Sequence, residues 1–157
     1  MATSTELIKL SKYILKTDLE IIPQDLAVKH ATDTKIGQYF VINTAPSYLK
    51  NGHYVCLVKL SKKKAIFFDP LASPLSLICL KDLIKEYETV YFLDKAIQHK
   101  NSEFCGFFVI GFLKAYEDDD IAKFLKKFKK NKIMKNNKII YAFLRKKICR
   151  QILEPDM

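Results

Sequence analysis

An uninterrupted apolar segment directly follows a cysteine in the second half of the chain. Between Gly106 and Leu113 no residue carries a charge, so a helix formed here is apolar around its whole circumference. Such a helix has to be buried on all sides, and the domain has to be built around it. Asn101 and Ser102 provide helix-capping side chains just before it. We therefore predict that Cys105 lies at or near the N-terminus of a buried helix, where backbone N–H groups and the helix dipole favour a thiolate.

A simpler interpretation of this cysteine is a small buried hydrophobic residue. The four cysteines of the chain, at positions 56, 79, 105 and 149, show no CxxC pairing and no metal-ligand spacing. A chain of 157 residues with 49% hydrophobic content can bury a core without disulfides. We therefore expect reduced thiols, and neither a metal nor an organic cofactor.

The patterning predicts a single α+β domain over residues 1–157. A helical N-terminal segment occupies residues 1–38, a core residues 39–117, and basic helices residues 118–157. The N-terminal region lacks the apolar stretch of a signal peptide, and no stretch approaches membrane-spanning length free of charge. We therefore expect a protein that is not secreted and has no membrane partner.

Three β-type runs precede the apolar segment, at Tyr39–Ala45, Gly52–Leu60 and Ala65–Asp69. A short basic turn joins the last two, which predicts an antiparallel hairpin. His53 begins its first strand and Asp69 ends its second, and these two ends are neighbours in an antiparallel pair. The spacing therefore predicts an imidazole and a carboxylate at one edge of a sheet, where the carboxylate can fix the tautomer of a base.

The chain then runs through a helical stretch and a further β run at Val90–Leu93 before it reaches the apolar segment. This order predicts an antiparallel-dominated mixed sheet packed against a central buried helix that carries Cys105.

Short motifs occur in a fixed order in this core: NTA at 43–45, GH at 52–53, FFDP at 67–70, and Gln98 seven residues before the CGFF that starts at Cys105. In this combination the chain, from about residue 39 to 116, resembles the adenovirus protease (adenain) family. Relatives of that family occur in virophages and Polinton/Maverick elements, and the SUMO and ubiquitin-like proteases belong to the same wider clan. The resemblance implies an adenain-like fold and a cysteine endopeptidase, with His53 as base, Asp69 as its orienting acid, Cys105 as nucleophile and Gln98 as oxyanion donor.

The chain also departs from that family. Tyr54 follows the histidine where the family usually has Trp, and the acid is Asp69 where the adenoviral enzymes use Glu. No cysteine lies between residues 88 and 97, so a disulfide-tethered activating peptide is not supported. His99 is an alternative base because it is close to Cys105 in sequence.

The C-terminal part of the chain is strongly basic, with twelve Lys or Arg residues and no acidic residue between Ile121 and Arg150. Apolar residues at helical spacing predict two amphipathic helices that flank the link at residues 131–138 and turn their lysines outward. Such a face attracts a polyanion without reading bases, although a merely solvated face fits equally well. The resemblance favours non-specific nucleic acid, and the candidate face is Lys123, Lys126, Lys127, Lys129 and Lys130.

The leading hypothesis is a monomeric viral or virophage-type protease that processes capsid or core precursor proteins during virion maturation. The resemblance implies cleavage near Gly, DNA or a viral peptide as activator, and a location in the virion and the cytoplasmic viral factory of the infected cell. One alternative is a deubiquitinating or deSUMOylating effector. Another is an inactive DNA-binding virion protein that retains the fold, which the presence of His53, Asp69, Gln98 and Cys105 disfavours.

Overall fold

The computed structural model describes residues 3–45, 52–100 and 102–153, with side chains up to residue 148. The chain forms two compact units. The sheet unit comprises Glu20–Ala96, and the helical unit comprises the residues up to Leu19 together with those from Ile97 onward. Among the described residues, no helix is long and apolar enough to cross a membrane.

A five-stranded mixed sheet forms the centre of the sheet unit in the described part of the chain. Its three middle strands are antiparallel, and one parallel strand is added at each edge. The α+β prediction is confirmed. The first edge strand was not predicted, because it is three residues long and ends in a proline. In spatial order the strands are β1 Ile21–Pro23, β2 Tyr39–Asn43, β3 Tyr54–Lys59, β4 Lys64–Phe68 and β5 Thr89–Phe92.

Helices account for most of the remaining described chain. A 3₁₀ turn precedes α2, and another precedes α7. The helices α2, α3 and α4 belong to the sheet unit, and the others belong to the helical unit. In order they are α1 Ser4–Ser11, α2 Ala27–Asp33, α3 Pro74–Cys79, α4 Lys81–Ile84, α5 Cys105–Glu117, α6 Ile121–Lys126 and α7 Asn136–Leu153.

Alternate residues of the middle strands form the core of the sheet unit. They pack with residues of α2 and α4 and are almost completely removed from solvent. The residues that alternate with them, such as Val41, Cys56 and Phe68, are also buried, so the middle strands are buried on both faces. The strand residues of this core are Phe40, Ile42, Val55, Leu57, Ala65 and Phe67.

Two glycines of α5 allow the helices of the helical unit to approach closely. A Cβ atom on Gly106 would lie 2.5 Å from Cδ1 of Leu7, and one on Gly111 would lie 2.6 Å from Cδ1 of Ile140.

At the far end of α5, the Asp118 carboxylate pairs with Lys147 of α7 at 3.1 Å. The predicted C-terminal helices are both present, and the link between them is shorter than expected because α7 begins at Asn136.

Candidate active site

Cys105 is the first residue of α5, and only 2% of its surface is exposed. The N-cap is Phe104, and no side chain caps the helix. Ser102 does not bond a helix N–H; instead its Oγ accepts a hydrogen bond from the backbone N–H of Phe104 at 3.2 Å. Asn101, the other predicted cap, lies outside the described residues. The N–H groups of the first turn have neither an intrahelical partner nor a capping side chain, which suits them to bind an anion.

Gln98 is also buried in the helical unit, with 2% of its surface exposed. Its Nε2 donates a hydrogen bond to the carbonyl oxygen of Ser102 at 2.8 Å, which fixes the orientation of the amide. Its Oε1 has no hydrogen-bond partner among the described residues. An Nε2 amide group carries two N–H bonds, so a second donor exists on the same atom. The predicted role of Gln98 as an oxyanion donor stays a prediction.

His53 and Asp69 meet in the sheet unit, as the hairpin predicts. His53 directly precedes β3, where its backbone N–H donates to Oγ1 of Thr44 at 2.9 Å and its carbonyl accepts from Thr44 N at 2.8 Å. Asp69 directly follows β4. Nε2 of the imidazole lies 2.5 Å from Oδ1 of the carboxylate. The register of β3 and β4 therefore delivers both side chains to one point, although their catalytic roles remain predictions.

Asp69 is 3% exposed, and its carboxylate stabilises the turn that follows it in the chain. Its Oδ1 accepts the backbone N–H of Leu71 at 2.9 Å, and its Oδ2 accepts that of Ser73 at 3.0 Å. Ala72, inside this turn, has a φ of +46°, a strained value for a residue with a Cβ. These backbone donors were not predicted, although Asp followed by Pro70 is a recognisable turn signal.

These contacts decide the protonation state of Asp69. Burial alone would raise its pKa, but the hydrogen bond and charge of His53, with the N–H groups of Ser73 and Leu71, outweigh burial and hold the pKa below its ordinary value of 3.8. The carboxylate is therefore ionised at neutral pH. Because it engages Nε2 of His53, any proton exchange of the imidazole with a thiol has to use Nδ1.

The remaining cysteines and the alternative base are placed differently. Cys56 is completely buried in β3, and burial raises the pKa of its thiol far above the ordinary value. Cys79 is exposed at the end of α3, whereas the side chain of Cys149 lies outside the described residues. His99 lies in the turn between Gln98 and α5, where its carbonyl accepts the Ser102 N–H at 2.8 Å. Within the described ranges, no group of three His, Cys, Asp or Glu residues could hold a metal ion.

The lysines of the candidate nucleic-acid face lie on α6 and on the turn that follows it. All five side chains are exposed. Nζ of Lys127 lies 6.0 Å from the ring centre of Phe143, so this lysine also packs on α7. The exposure is consistent with a binding face and equally with a solvated one, so nucleic-acid binding stays a prediction.

Comparisons with known proteins give structural neighbours only. No protein-family model and no curated protein sequence matches the chain. The structure of HopZ1a in complex with IP6 and CoA superimposes with a TM-score of 0.52 at 14% identity, over 83% of this chain and 45% of that one. A second HopZ1a structure, in complex with IP6, gives a TM-score of 0.51 at 11% identity over the same shares. The central domain of the Legionella pneumophila protein Lpg1148 gives 0.47 at 12% identity, over 90% of this chain and 95% of that one.

The HopZ1a structures bear on the fold. The chain spans less than half of the length of HopZ1a, 45%, and the low identity carries no information about activity. HopZ1a is a YopJ-family effector whose fold is cysteine-protease-like and related to the ubiquitin-like protease clan. The fold of these neighbours is of the kind that the resemblance in the sequence implies, and the comparison does not test the adenoviral branch. The chain therefore has an α+β fold of the cysteine-protease-like kind.

Proposed function

We propose that the protein is a cysteine endopeptidase in which Cys105 is the nucleophile and His53 the general base and acid. The observation that carries the proposal is the bond from Nε2 of His53 to a buried, ionised Asp69, in a fold of the cysteine-protease-like kind. An imidazole held in this way keeps one tautomer and one orientation, which a base needs and a core histidine does not. In support, Cys105 starts a helix whose first turn has no capping side chain.

The chemistry follows from these groups. Nδ1 of His53 takes the thiol proton, and the Cys105 thiolate attacks the scissile carbonyl carbon. The tetrahedral oxyanion accepts hydrogen bonds from the backbone N–H of Cys105 and from the second N–H of Gln98. When the C–N bond breaks, His53 gives its proton to the leaving amine, and a thioester remains on Cys105. Water, deprotonated by His53, attacks the thioester, releases the carboxylic acid and restores the thiol.

The proposed substrates are capsid or core precursor proteins of a virus or virophage, cut near Gly during virion maturation in the virion and the viral factory. The motifs that resemble the adenovirus protease family support this part of the proposal. The same resemblance, with the exposed lysines of α6 and its following turn, supports non-specific nucleic acid as a partner. Cleavage of candidate precursors by the wild type but not by a Cys105→Ala variant tests the substrate class.

A second candidate is favoured by one of the HopZ1a structures, because it contains CoA and HopZ1a belongs to an effector family. A thiolate that attacks an amide also attacks an acyl thioester, so the Cys105 thiolate takes the acyl group of an acyl-CoA as a new thioester and releases CoA. An acceptor amine then attacks this thioester, gives its proton to His53, forms the amide and releases Cys105. Intact-mass measurement after incubation with acetyl-CoA shows a 1:1 acetyl adduct on Cys105 if this activity is present. Ubiquitin and SUMO probes with C-terminal electrophiles test the deconjugating alternative in the same way.

The experiment that tests the active site itself is the pH dependence of iodoacetamide alkylation, with peptide mapping to separate the cysteines. We expect Cys105 to label fast below pH 7 in the wild type and slowly in His53→Ala. His30→Ala is the matched control, because His30 also lies 3.5 Å from a carboxylate, that of Glu20. The labelling of exposed Cys79 in the same samples provides the comparison. A Cys105 profile like that of Cys79, unaffected by His53→Ala, contradicts the proposal.

A further inference from the structure

A buried asparagine joins the start of α7 to the segment that leads to Cys105. Asn136 is completely buried, and its Nδ2 donates to the carbonyl of Ile97 at 2.8 Å. The same nitrogen donates to the carbonyl of Lys129 at 2.9 Å, and its Oδ1 accepts the Lys129 N–H at 2.7 Å. Both N–H bonds of the Asn136 amide therefore have an acceptor. One of these acceptors, the carbonyl of Ile97, belongs to the residue next to Gln98.

The neighbouring asparagine holds the other end of the same segment. Oδ1 of Asn137 accepts the hydroxyl of Ser102 at 2.9 Å. That hydroxyl oxygen in turn accepts the N–H of Phe104, the N-cap of α5, and the Ser102 carbonyl accepts Nε2 of Gln98. Ser102 is therefore the junction between Asn137, the amide of Gln98 and the start of the helix.

We propose that Asn136 and Asn137 are positioning residues that hold the segment from Ile97 to Phe104 at its two ends, and so place Gln98 against the N-terminus of α5. This deepens the proposed function, because the donors expected to bind the oxyanion belong to this segment. Neither asparagine touches the reacting atoms.

If Asn136 only stabilised the turn before α7, its bond to Ile97 would not be needed. The two bonds of Asn136 with the backbone of Lys129 already close the turn before α7. The bond to Ile97 spans 39 residues of sequence and adds nothing to that turn. It does give the carbonyl of Ile97 a partner where water is excluded, and a buried carbonyl without one is costly. Its effect is therefore on the segment that carries Gln98.

Amide hydrogen exchange of peptides covering residues 97–104 tests the proposal directly and needs no substrate. Asn136→Ala removes all three bonds, and we expect protection of this segment to fall by about tenfold or more, the effect of one hydrogen bond of ordinary net strength. Ile140→Val is the matched control, because it trims the apolar side of the same helix and touches none of these polar groups. Loss of protection in 97–104 that only matches the loss in the rest of the helical unit overturns the proposal.

Asn136→Asp provides a rescue experiment. Its ionised carboxylate cannot donate to Ile97, whereas its protonated form carries one O–H donor. We expect protection of 97–104 to be low at pH 8 and to rise towards pH 5, with no such rise in Asn136→Ala. If Asn136 variants do not fold, Asn137→Ala is the second test, because Asn137 is only half-buried and its loss should expose the Ser102 end of the segment alone. Unchanged protection around Ser102 in Asn137→Ala counts against the proposal.

Kinetics separates this proposal from the proposed function. If the protein cleaves peptides, Asn136→Ala should lower kcat by about tenfold or more with KM little changed, because a misplaced oxyanion donor acts on the transition state. If neither wild type nor variant cleaves any substrate, the proposed function fails, and the exchange data still decide the positioning role. If Asn136→Ala raises KM and leaves kcat unchanged, the positioning role is contradicted.

Discussion

Nε2 of His53 and Oδ1 of Asp69 lie 2.5 Å apart, and the carboxylate is held independently of the imidazole by two backbone N–H groups. The turn after β4 therefore fixes the carboxylate of Asp69, and the carboxylate orients the imidazole of His53. Replacing Asp69 is for this reason the most direct test of the pair.

Replacing Asp69 with Asn keeps the shape of the side chain and removes its charge. The carboxamide oxygen can still accept from Leu71 or Ser73, but it cannot stabilise a protonated His53 as a carboxylate does. We expect kcat/KM to fall by about 10²- to 10⁴-fold, the range over which general acid–base catalysis contributes. Peptide cleavage measures the fall in kcat/KM, and the alkylation rate measures the reactivity of the Cys105 thiol in the same variant.

Asp82→Asn is the control for this change. Asp82 is exposed in the same unit, and its carboxylate lies 4.0 Å from Lys85, a surface pair with little energetic weight. We expect its activity and labelling to match the wild type. An Asp69→Asn variant with wild-type kcat/KM would mean that the pair with His53 is structural only.

The lowered pKa of Asp69 also predicts how stability depends on pH. A carboxyl group whose pKa is lower in the folded state contributes stability above its unfolded pKa, near 3.8, and that contribution disappears as the pH falls through the folded pKa. Urea denaturation at several pH values should show a steeper acid loss in the wild type than in Asp69→Asn below about pH 4. If the free energy of unfolding depends on pH in the same way in both proteins, Asp69 does not contribute to the loss of stability in acid.

Local patterns in the sequence predicted most of the elements. The expected helical N-terminal segment contains α1, which Thr3 caps by accepting the N–H of Glu6 at 3.2 Å. The run expected at Val90–Leu93 forms β5 at Thr89–Phe92, and the hairpin brings His53 to Asp69. These features depend on residues close in sequence or on the alternation of a strand, which a single chain displays.

Features fixed by distant contacts were not predictable in this way. The helical stretch before β5 divides into α3 and α4 at Leu80, which is 2% exposed and packs in the core of the sheet unit. Asn136 lies in a stretch rich in Lys and Asn, where nothing local distinguishes a buried asparagine from a solvated one. Its partner Ile97 is 39 residues away, so only the fold reveals the bond.

Gly106→Ala tests how tightly α1 packs on α5 beside Cys105. The new Cβ would lie 2.5 Å from Cδ1 and 2.6 Å from Cδ2 of Leu7, which is 1% exposed, so this buried side chain has to move. Overpacking of this kind costs about 1–3 kcal/mol and outweighs the gain in helix propensity of about 0.5–1 kcal/mol. We expect the free energy of unfolding to fall by about 1 kcal/mol, measured by urea denaturation.

A double-mutant cycle with Leu7→Ala provides the control for this packing. Trimming Leu7 makes room for the new methyl group, so the double variant should lose less stability than the sum of the two single variants. Strictly additive losses would show that the Gly106→Ala effect arises elsewhere.

Charge reversal on the basic face tests nucleic-acid binding. The change combines Lys126→Glu, Lys129→Glu and Lys130→Glu, three exposed side chains. Each lysine that contacts a phosphate contributes about one unit to the slope of log K against log salt for duplex DNA, so affinity and slope should both decrease. Fluorescence anisotropy with a labelled duplex at several salt concentrations measures the two quantities. Because these side chains face solvent, the alkylation rate of Cys105 should not change.

A matched triple variant distinguishes a binding face from net charge alone. Lys62→Glu, Lys63→Glu and Lys64→Glu change the charge of the chain by the same amount, on two exposed residues of the turn between β3 and β4 and on the exposed first residue of β4. If the candidate face binds DNA, this control keeps most of the salt-dependent affinity. Equal losses in both variants would assign the attraction to the overall positive charge, because long-range steering does not depend on where the lysines lie. Loss of Cys105 alkylation in the first variant alone would show that its lysines support folding instead of binding.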